Sequence, residues 1–425
     1  NMIEDTFTPQ TGIYINLELV DPNVILPATL AGEGPDIVID VETSVPMDFA
    51  LRNAVVDLTQ FEDFEEVAKR FHRSALVSYT FRNKVYALPT QQIFNMLFYR
   101  KDILSELGLD IPRTWEDVME VIPELQKRNM NFGLPLSALA IRRASGQRST
   151  GALGSAATGA GSLTMHPGVM PFLAFLYQKG GDLYLPDGVK TALDSEVAVE
   201  SFQLWTDLYV LYDLPVEYDQ QNRFRTGEIP LLIAHYNLYN SIQVFAPEIR
   251  GRWGFTLVPG TAREDGSIDR TIPNGAARAI MILKDAQSKE DCWEFLKWFT
   301  SADIQYRYGR ELEILMGVAA RHPTANMEAA SRLPWSIEEF NTLEAQWQLV
   351  RGIPEVPGAY MTGRHLDNAH RKVVLENKKV RKTLQTYVRK IDFEIEIKRE
   401  EFGLETDVEE VLKKYGDDVS WDYFD

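Results

Sequence analysis

Cysteine is almost absent from this chain of 425 residues: there is one, Cys292. No disulfide framework can therefore hold it together. The thiol sits in the run Glu290-Asp-Cys-Trp-Glu-Phe-Leu296, a helical pattern in which a lone cysteine reads as a small buried residue rather than a nucleophile. Also missing is any run of about 18 or more apolar residues, the length of a membrane-spanning helix, and no secretory leader is visible at Asn1. Positive charge is in deficit, with 44 Lys and Arg against 62 Asp and Glu and a net charge of -18. That balance argues against nucleic acid or an anionic membrane surface as partner. No internal repeat or low-complexity segment stands out.

The motifs of several enzyme classes are missing too. There is no G-x-x-x-x-G-K-[ST], no G-x-G-x-x-G after a strand, no G-x-S-x-G elbow and no H-E-x-x-H. The glycines at 151, 154, 159 and 161 are too loosely spaced to cradle a phosphate. His235 has no second His or Cys at ligand spacing, so no metal site is expected. The run Asp182-Leu-Tyr-Leu-Pro-Asp187-Gly188 lacks the alternating acids of a calcium loop and reads better as a β-hairpin. Acidic pairs such as Glu65-Glu66 and Glu338-Glu339 lie on helical surface patterns. A glycosidase needs two carboxylates facing one bond, and sequence leaves such a pair open.

What is present is ordinary in amount, 45% hydrophobic and 25% charged, and informative in order. The length calls for two domains. A strand is expected over residues 13–19, a helix over 25–30 ending at Gly32 or Gly34, and an apolar strand at Ile37-Val38-Ile39. This alternation points to a parallel α/β sheet. Thr114-Trp-Glu-Asp117 is a capping box that starts a helix to about Arg128. Residues 145–161 read as a loop or a small-residue helix. Residues 197–211 are helical and place Trp205 in the core. Residues 379–402 form a long amphipathic helix whose charges face solvent.

Several blocks in this order carry a likeness: Pro35-Asp-Ile-Val-Ile-Asp40, Phe81-Arg-Asn-Lys-Val-Tyr-Ala-Leu-Pro89, Leu97-Phe-Tyr-Arg-Lys-Asp102, Leu107-Gly-Leu-Asp-Ile-Pro112, Phe224-Arg-Thr-Gly-Glu-Ile-Pro230 and Trp293-Glu-Phe-Leu-Lys-Trp-Phe299. Together they resemble the extracellular solute-binding proteins of bacterial sugar-type ABC importers. The resemblance implies a two-lobed α/β fold with a ligand cleft between the lobes and several hinge crossings. Lobe 1 is expected over 1–110 and 258–315, lobe 2 over 111–257 and 316–425. It implies a carbohydrate ligand, transmembrane permease subunits as partners, a monomer, no cofactor and no catalysis. It implies an extracellular location, with a lipid anchor on upstream residues. In the family a first β-strand precedes the helix ending near Gly12; either a longer parent supplies it or upstream residues are not represented. Alternatives are a glycoside-active enzyme, a sensory binding module, and a binding protein for an acidic or polyol ligand.

A sugar offers hydroxyls on its edges and C–H on its faces, so its site needs planar donors and acceptors beside aromatic rings. Four segments qualify. The first holds Glu42 and Thr43, after the early strand. The second holds Gln91, Gln92 and Asn95. The third holds Tyr236, Asn237 and Tyr239, at a position where a member of the group has aromatic platforms. The fourth holds Asn274 and Gly275 together with Tyr360, placed to stack, and Arg364, able to grip hydroxyls or a carboxylate. Arg142 and Arg143 are further candidates for the second-lobe wall.

Overall fold

A computed structural model describes residues 2–135 and 167–415 of the chain. Two sheets organise it. β1 (Ile37–Glu42), β2 (Leu88–Gln92) and β7 (Ala277–Ile282) form one, in the order β1-β7-β2 with both pairs antiparallel. β3 (Asn95–Arg100), β4 (Phe132–Gly133), β5 (Leu231–His235) and β6 (Trp253–Thr256) form the other, in the order β4-β5-β3-β6. The first sheet is therefore antiparallel and the second mixed, with β4 and β5 its parallel pair, in place of the expected parallel sheet. The cause is long-range: β7 enters its sheet from the far lobe, and no βαβ crossover fixes its direction.

Each sheet has its own core. Phe7, Phe64, Phe71, Leu88, Ile280 and Trp293 pack on the first. Phe94, Phe98, Phe172, Trp205 and Ile391 pack around the second. Trp205 is 1% exposed, as expected of a core residue. Cys292 is buried as well, and burial pushes its thiol up to about 12.

Local signals held where they were local. The helix Pro22–Leu30 is capped by Asp21, which accepts from the Asn23 amide at 2.9 Å. It ends with Gly32 at φ +80° and the Glu33 amide donating to the Ala28 carbonyl, a Schellman closure. The capping box is present: the Asp117 amide donates to Thr114 Oγ1 at 3.1 Å and the Thr114 amide to Asp117 Oδ2 at 2.9 Å. Residues 182–192 form a turn with a Tyr184–Thr191 bridge, close to the expected hairpin. The expected strand over 13–19 is not formed. The segment is irregular with Tyr14, Leu17 and Leu19 exposed, and among the described residues no neighbouring strand takes up its backbone groups. On the helix Val380–Glu401 most charges face solvent, but Arg399 is fully buried and Asp392 is half-buried and accepts from Thr191.

The lobes exchange the chain through strands lying side by side. The Gln92 amide donates to the Pro323 carbonyl, the Ile93 amide to Ala276 and the Gly275 amide back to Ile93. β2 and β3 belong to different sheets, so the first crossing falls at residues 93–94 rather than near 110. Likewise the chain still pairs with β3 through Thr256 and joins the first sheet only at Ala277. Proline, glycine and cap signals mark where elements end. The crossing at 93–94 lies inside extended backbone that carries no such signal, whereas the return crossing is marked by Pro273 and Gly275.

Candidate functional site

Three groups of side chains meet at or beside these crossings. On the wall of the first sheet, Arg278 of β7 lies 3.6 Å from Glu42 and its guanidinium donates to the Asp40 carbonyl at 3.4 Å. Gln91 Nε2 approaches Asp40 Oδ1 at 3.5 Å, and Thr43 Oγ1 donates to the Ala277 carbonyl at 3.3 Å. Burial raises the Asp40 and Glu42 carboxyls above their ordinary values, opposed by the Arg278 charge. Asp40 sits at φ +63°, at a bulge between Ile39 and Val41 that turns the strand end.

At the hinge itself Gln92 is fully buried. Its Nε2 donates to Ser74 Oγ at 2.8 Å and to Asn274 Oδ1 at 3.1 Å, and its Oε1 accepts from Trp347 Nε1 at 2.8 Å. Tyr236 OH donates to the Gln92 carbonyl at 3.1 Å. Asn95 lies opposite His235 in the β3–β5 register, and its Oδ1 is buried with no hydrogen-bond partner among the described residues. Gly275 is needed here, since a Cβ would stand 2.4 Å from the Ile93 carbonyl oxygen.

The third group joins Tyr239, Trp253, Trp335 and Glu339 to Arg321 and Glu313. Tyr239 OH donates to Glu339 Oε1 at 2.8 Å, and its ring packs on Trp335 and Trp253. Arg321 stacks over Trp335 at 5.3 Å and pairs with Glu313 at 3.0 Å. Tyr236, Asn240, Arg321, Trp335 and Trp347 surround a cavity of about 10 Å³, room for a single water.

The predicted residues therefore divide. Glu42, Thr43 and Gln91 share one half-buried wall. Gln92, Asn95, Tyr236, Asn274 and Gly275 form the hinge floor, with the Gln92 amide and the Tyr236 hydroxyl already committed to protein partners. Asn237, half-buried at the start of the helix Leu238–Phe245, is placed between floor and surface. The rings of Tyr236 and Tyr239 are 5% and 9% exposed and pack in the core, so neither offers an open stacking face in this conformation. Tyr360 is 49% exposed, with its hydroxyl 3.1 Å from Glu394. Arg364 is exposed on the helix Thr362–Glu376, not gathered with the others. Arg142, Arg143 and the segment 145–161 lie outside the described residues.

Sequence reading missed Asp40, Arg278, Arg321 and Trp335. Arg278 sits in an apolar strand, Ala277–Ile282, where a lone arginine in alternation was the available signal. Among the described residues no group of three or more His, Cys, Asp and Glu could hold a metal ion. The set is one of donors, acceptors and rings, suited to hydrogen-bonding a neutral polyhydroxyl molecule.

The family model for bacterial extracellular solute-binding proteins matches residues 2–306. Among curated relatives, the maltotriose-binding protein of Pyrococcus abyssi is 21% identical over 285 residues, 66% of this chain and 53% of that protein. Among solved structures, the sugar-binding protein MalE of Xanthomonas citri superposes with a TM-score of 0.73 at 16% identity, covering 95% of each chain. The extracellular solute-binding protein of Staphylococcus aureus in complex with maltose gives 0.68 at 18% identity, covering 93% of each. The fold is thus the two-lobed fold of periplasmic sugar-binding proteins.

Proposed function

This chain belongs to the bacterial extracellular solute-binding protein family, and we propose that it captures a mono- or oligosaccharide between its lobes and delivers it to the transmembrane subunits of an ABC importer. The single observation that carries this reading is the clustering of unlike polar side chains from both lobes at the crossing strands: Glu42, Gln91 and Arg278 on one side, Asn95, His235 and Asn237 on the other. The names of the Pyrococcus and Staphylococcus proteins, which bind maltotriose and hold maltose, support a carbohydrate. The moving bodies are the parts built on the two sheets, residues 2–92 with 277–322 and residues 95–135 and 167–273 with 327–415. Ligand stabilises the closed form by its differential affinity for closed over open lobes. The protein performs no chemistry on it, works outside the cell as a monomer, and is held at the membrane by a lipid.

An acidic ligand is disfavoured. Arg278 already faces Asp40 and Glu42, and Arg364 is exposed on the helix Thr362–Glu376.

A thermal-shift screen against mono- and oligosaccharides, uronates and polyols tests the proposal. A ligand at about 100 times its dissociation constant adds roughly 2.7 kcal/mol of stability. Asn237→Ala is expected to weaken the responding sugar about tenfold, the worth of one lost hydrogen bond to a well-placed hydroxyl. A response to uronates or polyols alone would overturn the carbohydrate assignment.

A further inference from the structure

Asp187 is 1% exposed, sits at φ +55°, and is met by two arginines from opposite directions. Arg399, fully buried on the helix Val380–Glu401, donates Nη2 to Asp187 Oδ2 at 3.1 Å and Nη1 to the Asp187 carbonyl at 2.6 Å. Its Nε donates to the Glu405 carbonyl at 2.9 Å. Asp187 and Arg399 belong to the same body: neighbouring Tyr184, Leu193 and Ile395 all pack in the core of the second sheet. Arg82 comes from the other body. It stands at the tip of the hairpin Thr80–Phe81 and Lys84–Val85, whose Val85 packs in the first core. It grips Asp187 with two parallel bonds, Nε to Oδ1 at 3.0 Å and Nη2 to Oδ2 at 2.7 Å.

We propose that Arg82 and Asp187 form a releasable latch between the lobes, and that this latch sets the balance of open and closed forms before any ligand arrives. The inference rests on the hinge-closure reading above and adds a determinant of affinity outside the ligand cluster. The two halves differ in what separation would do. Arg399 and Asp187 are both at or below 1% exposure, so parting them would strand a buried charge. Arg82 is 31% exposed and can return to water, while Arg399 continues to neutralise Asp187. Opening therefore leaves no uncompensated carboxylate behind. The bidentate geometry gives closure a defined register.

The grip is supported by its surroundings. Arg82 adopts φ +50° and Asn83 +61°, the paired left-handed conformation of a type I′ turn, which fixes where the guanidinium starts. Gly188, at φ +59°, lies so close to Val356 that a Cβ would fall 2.3 Å from its Cγ1, which holds the Asp187 turn against the segment after β-strand Val350–Arg351. Two more contacts join the same faces: Ser78 Oγ donates to the Ile353 carbonyl at 2.7 Å, and the Arg52 guanidinium lies 5.2 Å from the Phe402 ring.

The test uses the full chain with spin labels on Glu65→Cys and Glu120→Cys, exposed positions of the two bodies. The native thiol of Cys292 is buried and pushed up to about 12, so it does not compete for label. Without ligand, Arg82→Ala is expected to shift the interlobe distance distribution toward the open population, changing the closed-to-open ratio roughly tenfold. High salt should move the unmutated protein the same way by less. Arg399→Met should instead lower the melting temperature, because it acts on the fold. Identical distributions for Arg82→Ala and the parent would overturn the latch. The same labels with maltose as probe separate the two readings. If Arg82→Ala shifts the distances and neither maltose nor any screened sugar does, the latch stands and the carbohydrate assignment falls.

Discussion

Replacing Gln92 by leucine is expected to lower the free energy of unfolding by about 3 kcal/mol or more, a larger effect than loss of a ligand contact would give. The amide of Gln92 makes three buried hydrogen bonds and links four parts of the chain: its own strand, Ser74, Asn274 and Trp347. Leucine fills similar volume but leaves Trp347 Nε1 without an acceptor and Asn274 Oδ1 without a donor. A buried polar group stripped of its partner costs about 1–3 kcal/mol each. Ser74 keeps a partner, since its Oγ lies 2.6 Å from His72 Nδ1, so its share is smaller. Gln92→Glu is the sharper variant. It is isosteric, yet it turns an amide that donates twice into an acceptor facing Asn274 Oδ1, and it buries a charge. Glutamate should therefore destabilise more than leucine. Urea unfolding of both variants measures this, with unchanged slope showing that the native state alone was affected. A loss below about 0.5 kcal/mol for either would mean that the hinge knot is not a source of stability.

In sequence alone Gln92 has the look of a ligand contact. Two glutamines and an asparagine within five residues look like a hydroxyl-binding set, and the sequence offers no way to tell an amide bound to sugar from one bound to Asn274, 182 positions away. The same limit governs Tyr236 and Tyr239. A ring that packs in a core and a ring that stacks on a sugar have the same composition and spacing, and only burial separates them. The fold was more legible than the site for a physical reason. Caps, turns and apolar strands are set by neighbours in sequence, and the Asp21 cap, the Schellman closure at Gly32 and the Thr114 capping box are of this kind. The reversed strand β7, the crossings at 93–94 and 274–276 and the Arg82–Asp187–Arg399 cluster depend on partners more than a hundred residues apart. The segment over 13–19 is the converse case: its pattern is that of a strand, and it lacks the neighbour that would make it one.

The second large effect is expected with pH. Burial pushes His235 and His322 down to about 4 and His370 down to about 3. Their unfolded value is about 6.5. Above that pH both states are neutral and stability is complete. As pH falls below it, the unfolded chain takes up protons that the folded chain refuses, so stability is lost until the folded values are reached. Each histidine contributes about 1.4 kcal/mol per pH unit, hence about 2 kcal/mol between pH 6.5 and 5, or about 6 kcal/mol for the three. His72, pushed down to about 4 by burial and by Arg73, acts in the same direction. Asp40, Glu42, Asp48, Asp367 and Asp392 act in the other, because burial raises their carboxyls and the fold takes up their protons first. The melting temperature should therefore drop steadily from pH 7 to pH 5. His370 assigns the slope to a residue. Its ring stacks on Trp205 at 3.8 Å and meets Tyr209 at 4.8 Å, with Asp367 and Arg371 on the same helix. Its Nε2 is buried with no partner among the described residues. His370→Phe keeps the aromatic stack and removes both that nitrogen and the proton, so the variant should match the parent or exceed it at pH 7 and lose stability less steeply below it. Parallel curves for parent and variant would show that this imidazole does titrate in the fold, and that the acid lability has another source.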